Sequence, residues 1–297
     1  MLVKVAPRID LAVASWFQPH GPRFQARSGL FFDEREDFPM DLGIAGKTAI
    51  ICGASAGMGK ACSQVLSEEG ANIVMVARNA ERLEQAAGEL RSTAAGNVDT
   101  VAADMSTREG RATLFGTFPH ADILITNLGG SPKGDVLDWD EDAWSAAVDR
   151  HMIAAMMLMR QYVPGMEERR FGRVVNILSR AIRAPEAHVA LANAPRSGLA
   201  GFVGALSRSV ASKNVTINNV LPGPVSTATQ TRGLAEYAKL SGVPVEEFAQ
   251  KRAAEVPARR FGDPREIGTY CAFLCSADAG YIVGQSLLID GGAVNLV

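Results

Sequence analysis

From Lys47 onward, short β-branched apolar runs alternate with longer stretches of helical periodicity, and this alternation most narrows what the chain can become. Seven runs read as strands: TAIICG, NIVMVA, VDTVAA, DILITN, GRVVNILS, VTINNV and SLLID. Runs that are apolar on both faces need cover on both sides. Alternation with helices then points to βαβ units and a parallel sheet. Amphipathic helices are expected at about 57–69, 80–92, 141–167, 195–212 and 264–276. The expected fold is doubly wound α/β, a seven-stranded parallel sheet with helices on both faces. In such sheets ligands bind beyond the carboxyl ends of the strands, where the strand order reverses.

Composition removes the competing classes. Hydrophobic residues make up 47% and charged residues 21% of the 297, the profile of a soluble chain with a real core. Thirty Lys and Arg against 32 Asp and Glu leave a net charge of -2 and no basic stripe, so nucleic acid is not the expected partner. No apolar run approaches the roughly 18–20 residues of a spanning helix, which argues against a membrane. Four cysteines without C-x-x-C spacing read as core thiols in a reducing, cytoplasmic setting, with Cys271 and Cys275 on one helix face and Cys52 and Cys62 inside.

Residues 1–39, with Pro7, Pro19, Pro22, Trp16, Phe17, Phe31 and Phe32, show no period and no secretory pattern. They are set apart as an N-terminal extension: a flexible arm, an intersubunit contact or the product of an upstream start codon. One domain is expected over 40–297. Its long segment at about 224–260 is too long for a connector and reads as a mobile lid that governs substrate choice. Leu234, Tyr237, Leu240 and Val243 in that lid suggest a partly apolar substrate.

Directly after the first strand comes CGASAGMGKA, which places Gly53, Gly57 and Gly59 ahead of a helix. Glycines there let the backbone approach a pyrophosphate, whose charge the helix N-terminus stabilises. The architecture is therefore Rossmann-like. At the end of the second strand, where a carboxylate would receive the ribose 2'-hydroxyl of NAD, stand Ala77, Arg78 and Asn79. A guanidinium matches a phosphate through paired hydrogen bonds, so NADP(H) is preferred over NAD(H).

The G-x-x-x-G-x-G spacing resembles the short-chain dehydrogenase/reductase family. VAADMS, TNLGG, NILSR, NNVLPGPVST and LLIDGG follow in the family's order, and the resemblance spans about 43–293. It implies that Ser55 and Met58 line the phosphates, Asp104 and Met105 hold the adenine, and Asn127 and Gly129 support the ribose. Pro222, Gly223, Val225 and Thr227 would flank the nicotinamide.

One part of the family pattern is missing. Members usually carry Y-x-x-x-K with a serine thirteen positions ahead of the tyrosine, and an asparagine on the preceding long helix. Here the alignment puts Ala192 at the tyrosine, Arg196 at the lysine, Ser179 at the serine and His151 at the asparagine. Alanine performs no proton chemistry. Arg196 can still hold the ribose, and Ser179 can still donate to a substrate oxygen. His151, His188 and the lid's Tyr237 are candidate replacement acids, the two histidines because imidazole titrates near neutrality. Tyr162, Tyr270 and Tyr281 read as packing. Met152, Met156, Met157 and Met159 read as core or subunit contact. The resemblance implies a homodimer or homotetramer joined through the long helices at about 141–167 and 195–212.

The leading expectation is an NADP(H)-dependent oxidoreductase acting on a carbonyl, alcohol or activated alkene of small-molecule size. A non-redox isomerase or lyase using His151 or His188, and an inactive NADP(H)-binding subunit or sensor, stay open.

Overall fold

Each core strand divides its apolar residues between two faces, and that division builds the layers. A computed structural model describes residues 41–130 and 132–295. The N-terminal extension at 1–39 and the side chain of Leu240 lie outside the described residues. From Asp41 the chain forms one compact unit. Its strands are β1 (Thr48–Cys52), β2 (Asn72–Ala77), β3 (Val98–Ala102), β4 (Ile123–Thr126), β5 (Gly172–Ile177), β6 (Val215–Pro222) and β7 (Ser286–Ile289). All pair in parallel in the order β3-β2-β1-β4-β5-β6-β7. The strand order reverses between β1 and β4.

The helices are α1 (Gly57–Glu68), α2 (Ala80–Arg91), α3 (Arg108–Thr117), α4 (Glu141–Val148), α5 (Ala154–Arg169), α6 (Ala190–Val210), α7 (Ala228–Ser241), α8 (Val245–Ala254) and α9 (Pro264–Cys275). Ile51, Met75 and Ile125 pack with Leu66 of α1, Leu83 of α2 and Leu274 of α9. The alternate residues Ile50, Val74 and Leu124 pack with Leu114 of α3, Leu158 of α5 and Val203 of α6. The result is three layers, and each fully buried Ile or Leu contributes about 1.5–3 kcal/mol.

Three sequence expectations need correction. The helix expected from 195 begins at Ala190, because a 3-10 turn at Ala187–Val189 leads into it and Pro195 is carried inside the helix. The segment expected as one helix from 141 is broken at Asp149–Ile153 by a π-helical turn between α4 and α5. Tyr281 is fully exposed rather than packed. Helix α3 was not anticipated; Thr107 caps it by accepting from the Gly110 amide at 3.0 Å. The four cysteines are buried and free, as expected.

Two polar devices hold the sheet, one toward each end of its strands. Thr126, Asn176, Asn219 and Ser286 lie in register across β4 to β7 and form a hydrogen-bonded row at 2.7, 3.1 and 3.0 Å. At the opposite end, the fully buried Arg173 donates to the carbonyls of Gly172, Asn214 and Ser276, each at 2.9 Å. A buried charge with its donors satisfied in this way avoids most of the cost of leaving water.

Candidate functional site

The first half of the site is made by the loop from β1 into α1. Gly53 and Gly57 both adopt positive φ, which glycine takes without steric cost. A Cβ on Gly59 would lie 2.3 Å from the Gly53 carbonyl oxygen, and one on Gly53 would lie 2.5 Å from that of Asn127. The loop is thus pressed against both α1 and the end of β4. On its other side, a Cβ on Gly57 would sit 3.2 Å from Thr227 Cγ2, so the segment after β6 closes over the same place.

The N-terminus of α1 has neither a side-chain cap nor an acidic residue in its first turn. By contrast, Asn79, Thr107, Asp140, Thr227 and Asp263 cap α2, α3, α4, α7 and α9. Unclaimed amides and the positive end of the helix dipole meet here at the strand-order switch, an arrangement suited to a pyrophosphate. Ser55 and Met58 lie half-buried in this loop. The residues present fit a dinucleotide.

The adenosine end follows from β2 and β3. Arg78 is exposed, with its guanidinium 3.8 Å from Asp104 Oδ2. The Asn79 oxygen accepts from the Arg82 amide at 2.8 Å, so that side chain is engaged in capping α2. Asp104 Oδ1 accepts from the Ser106 amide at 2.9 Å and its hydroxyl at 2.7 Å. Partial burial pushes the Asp104 carboxyl up, but those hydrogen bonds and the charges of Arg78 and Arg150 outweigh it and hold the group below the usual carboxylate range. Met105 is buried, and its carbonyl accepts from Arg111 at 2.8 Å. Gly129 is exposed with open space where a Cβ would be, so close packing does not demand glycine there.

Beyond β6, the Gly223 amide donates to the Ile289 carbonyl at 3.0 Å, and a Cβ on Gly223 would lie 2.8 Å from Asp290 Cα. Pro222 ends the strand opposite Ile289. Val225 is buried and bridges to Gly262, and Thr227 caps α7 by accepting from the Gln230 amide at 3.2 Å. These contacts fix the start of the segment after β6.

At the end of β5, the half-buried Ser179 accepts from the Ala181 amide at 3.1 Å. Ala192 is buried on α6. One turn later, the half-buried Arg196 has no hydrogen bond or ion pair among the described residues. Burial brings its pKa down to about 10, which leaves it charged at neutral pH.

His151 sits in the π turn and is buried, with Nδ1 2.8 Å from the Leu128 carbonyl oxygen. A carbonyl only accepts, so Nδ1 carries the hydrogen. Burial first, and then the Arg196 charge, lower the His151 pKa to about 4. The ring is neutral at pH 7, which counts against an imidazolium acid at this position. Its neighbour Arg150 donates to the Gly130 carbonyl at 2.6 Å, so two consecutive π-turn residues hold the loop after β4.

His188 is exposed in the 3-10 turn ahead of α6, with Nε2 3.5 Å from Glu186 Oε2. Its ring meets the Tyr237 ring edge-on, with centroids 6.3 Å apart. Lys133 Nζ lies 5.0 Å from the centroid of the same tyrosine. The loops after β4 and β5 and helix α7 therefore converge on Tyr237. Sequence reading missed Lys133, Arg180 and Glu186. Their place just beyond strand ends was the available signal.

Among the described residues, no group of three or more His, Cys, Asp or Glu could hold a metal ion, and no helix is long and apolar enough to cross a membrane. A family model described as enoyl-(acyl carrier protein) reductase matches residues 53–294. The chain is 31% identical over 251 residues to the 3-oxoacyl-(acyl-carrier-protein) reductase FabG of Vibrio cholerae, covering 84% of this chain and 98% of that protein. It is 32% identical over 263 residues to the uncharacterized oxidoreductase YvaG of Bacillus subtilis, covering 87% and 100%. Its fold is similar to L-sorbose reductase from Gluconobacter frateurii, solved with NADPH and L-sorbose, with a TM-score of 0.82, 32% identity and coverage of 87% and 100%.

Proposed function

Because this chain belongs to the short-chain dehydrogenase/reductase family of enzymes, we propose that it is an NADP(H)-dependent oxidoreductase acting on a carbonyl, alcohol or activated alkene. The observation that carries the cofactor preference is the exposed Arg78 guanidinium at the end of β2, beside Asp104 and where a carboxylate would otherwise face the ribose. A bound dinucleotide supplies or accepts the hydride, and the remaining tasks fall to the protein.

The α1 amides and Thr227 receive the phosphates. Asp104 and Met105 hold the adenine, and Arg196 directs its unpaired cation to the nicotinamide-side ribose. Ser179 donates to the substrate oxygen as charge develops there. His151, neutral and tethered to Leu128, orients the β4 loop, while Tyr237 and His188 at the lid are the groups available to exchange the oxygen-bound proton. That division replaces the phenol for which Ala192 leaves no equivalent on α6.

The same reading places the protein in the cytoplasm, in keeping with its four free thiols. It also pairs α4–α5 and α6 with those of a second copy in a homodimer or homotetramer. The exposed Val148 of α4, and the groove between α3 and α5 in which Phe115, Ile153 and Met157 lie beside Arg108 and Arg160, support that pairing.

The test is a comparison of NADPH and NADH binding in wild type and Arg78→Ala. NADPH affinity should fall by about tenfold or more, one charge-assisted pair's worth, with NADH affinity nearly unchanged. Equal losses for both cofactors would contradict a reading of the 2'-phosphate at Arg78.

A further inference from the structure

A connected set of side chains spans the mouth of the site from the β4 loop to Ser179. Lys133, exposed in the loop after β4, lies against α7, where its ammonium faces the Tyr237 ring at 5.0 Å and lies 3.2 Å from where a Cβ on Gly233 would stand. Glycine at 233 therefore leaves room for that ammonium against α7. Tyr237 meets His188, His188 approaches Glu186 at 3.5 Å, and Glu186 is ion-paired with Arg180, the residue after Ser179. The Gly134 amide donates to the His188 carbonyl at 3.3 Å, which ties the two loops together directly.

The charges in this set do not balance. Glu186 is its one carboxylate, and it is already shared between Arg180 and His188. Among the described residues Lys133 has no carboxylate partner. The nearby Asp135 turns Oδ1 to the Leu137 amide at 3.0 Å. The half-buried Arg196 on α6 likewise has no ion pair among the described residues. An exposed ammonium beside an aromatic ring, with no carboxylate partner among the described residues, is suited to an anionic group carried in by a ligand.

We propose that the substrate is a carboxylate-bearing carbonyl compound, or the corresponding hydroxy acid, whose carboxylate is received by Lys133 beside Tyr237 while its reacting oxygen faces Ser179. This rests on the oxidoreductase reading for the reaction, but not for the binding. The buried Leu234 on the same helix leaves the lid's inner side apolar, so the charge is read at one point rather than along the whole ligand.

The experiment uses full-length protein and three 2-oxo acids of increasing size, pyruvate, 2-oxohexanoate and benzoylformate, each beside its methyl ester. Binding to NADP+-saturated protein is measured by isothermal titration, and NADPH consumption is measured separately. At least one acid should bind tenfold or more tightly than its ester. Lys133→Met should collapse that preference by tenfold or more, and Lys133→Arg should restore most of it. No acid preference in wild type, or an equal preference in Lys133→Met, overturns the proposal. Consumption of NADPH with acids and esters alike would do so while leaving the oxidoreductase reading intact. Acid-selective binding without NADPH consumption would uphold the carboxylate site and overturn the redox reading instead.

Discussion

Replacing Gly59 with alanine separates the packing of the cofactor loop from general helix stability. The new Cβ would lie 2.3 Å from the Gly53 carbonyl oxygen and 2.7 Å from its carbon, against an ordinary contact of 3.4 Å or more. Backbone cannot swing aside as a side chain can, so α1 and the loop must part by about 1 Å. Overpacking of this kind costs about 1–3 kcal/mol. Alanine returns about 1 kcal/mol through its helix propensity, so the net loss of stability should be no more than about 2 kcal/mol.

Binding should suffer more visibly. Moving the α1 amides out of line with a phosphate removes at least one charge-assisted hydrogen bond, about 2 kcal/mol or roughly 30-fold in Kd. Gly88 is the control, being exposed on α2 with nothing within 4 Å of where its Cβ would stand. Gly88→Ala should stabilise by up to about 1 kcal/mol and leave NADPH binding unchanged. Fluorescence titration with NADPH, paired with urea unfolding, reads both quantities. A Gly59→Ala protein that binds NADPH within twofold of wild type would refute the steric reasoning.

Two further outcomes concern stability. His151 is 2% exposed and its pKa is lowered from 6.5 to about 4, so its contribution is intact above pH 6.5 and is lost as pH falls toward 4. By pH 5 this amounts to about 2 kcal/mol. His151→Asn should flatten the urea-unfolding difference between pH 7 and pH 5 by that amount, and an unchanged difference would exclude a buried neutral imidazole. Arg173→Met strips the donors from the carbonyls of Gly172, Asn214 and Ser276 and should destabilise by about 3 kcal/mol or more; a loss under 1 kcal/mol in urea unfolding would show that those carbonyls find other partners.

The strands and the phosphate loop were legible because their signals are local. β-branched runs mark the seven strands, and within the first strand-loop-helix unit Gly53 and Gly57 answer to positive φ and Gly59 to its contact with the Gly53 carbonyl. Helix α3 was missed because its sequence, REGRATLFGT, buries only Gly110, Arg111 and Leu114, too few apolar residues to stand out as a stripe. The start of α6 was misplaced because Pro195 looks like a first-turn proline. The π turn has no marker in the sequence, although it brings Arg150 and His151 to the β4 loop. The Lys133–Tyr237–His188–Glu186–Arg180 set joins two loops and helix α7, all distant in sequence, and spacing along the chain cannot reveal such a meeting. The family resemblance located Ser179 and Arg196, but it could not show that His151 is buried and neutral.

The central claim is tested most directly by following NADPH consumption with wild-type and Ser179→Ala protein across ketones, aldehydes, quinones, enones and 2-oxo acids. The account predicts turnover of at least one carbonyl class, falling about 100-fold or more when the Ser179 hydroxyl is removed. Tight NADPH binding without turnover of any class, or turnover indifferent to Ser179, would contradict it.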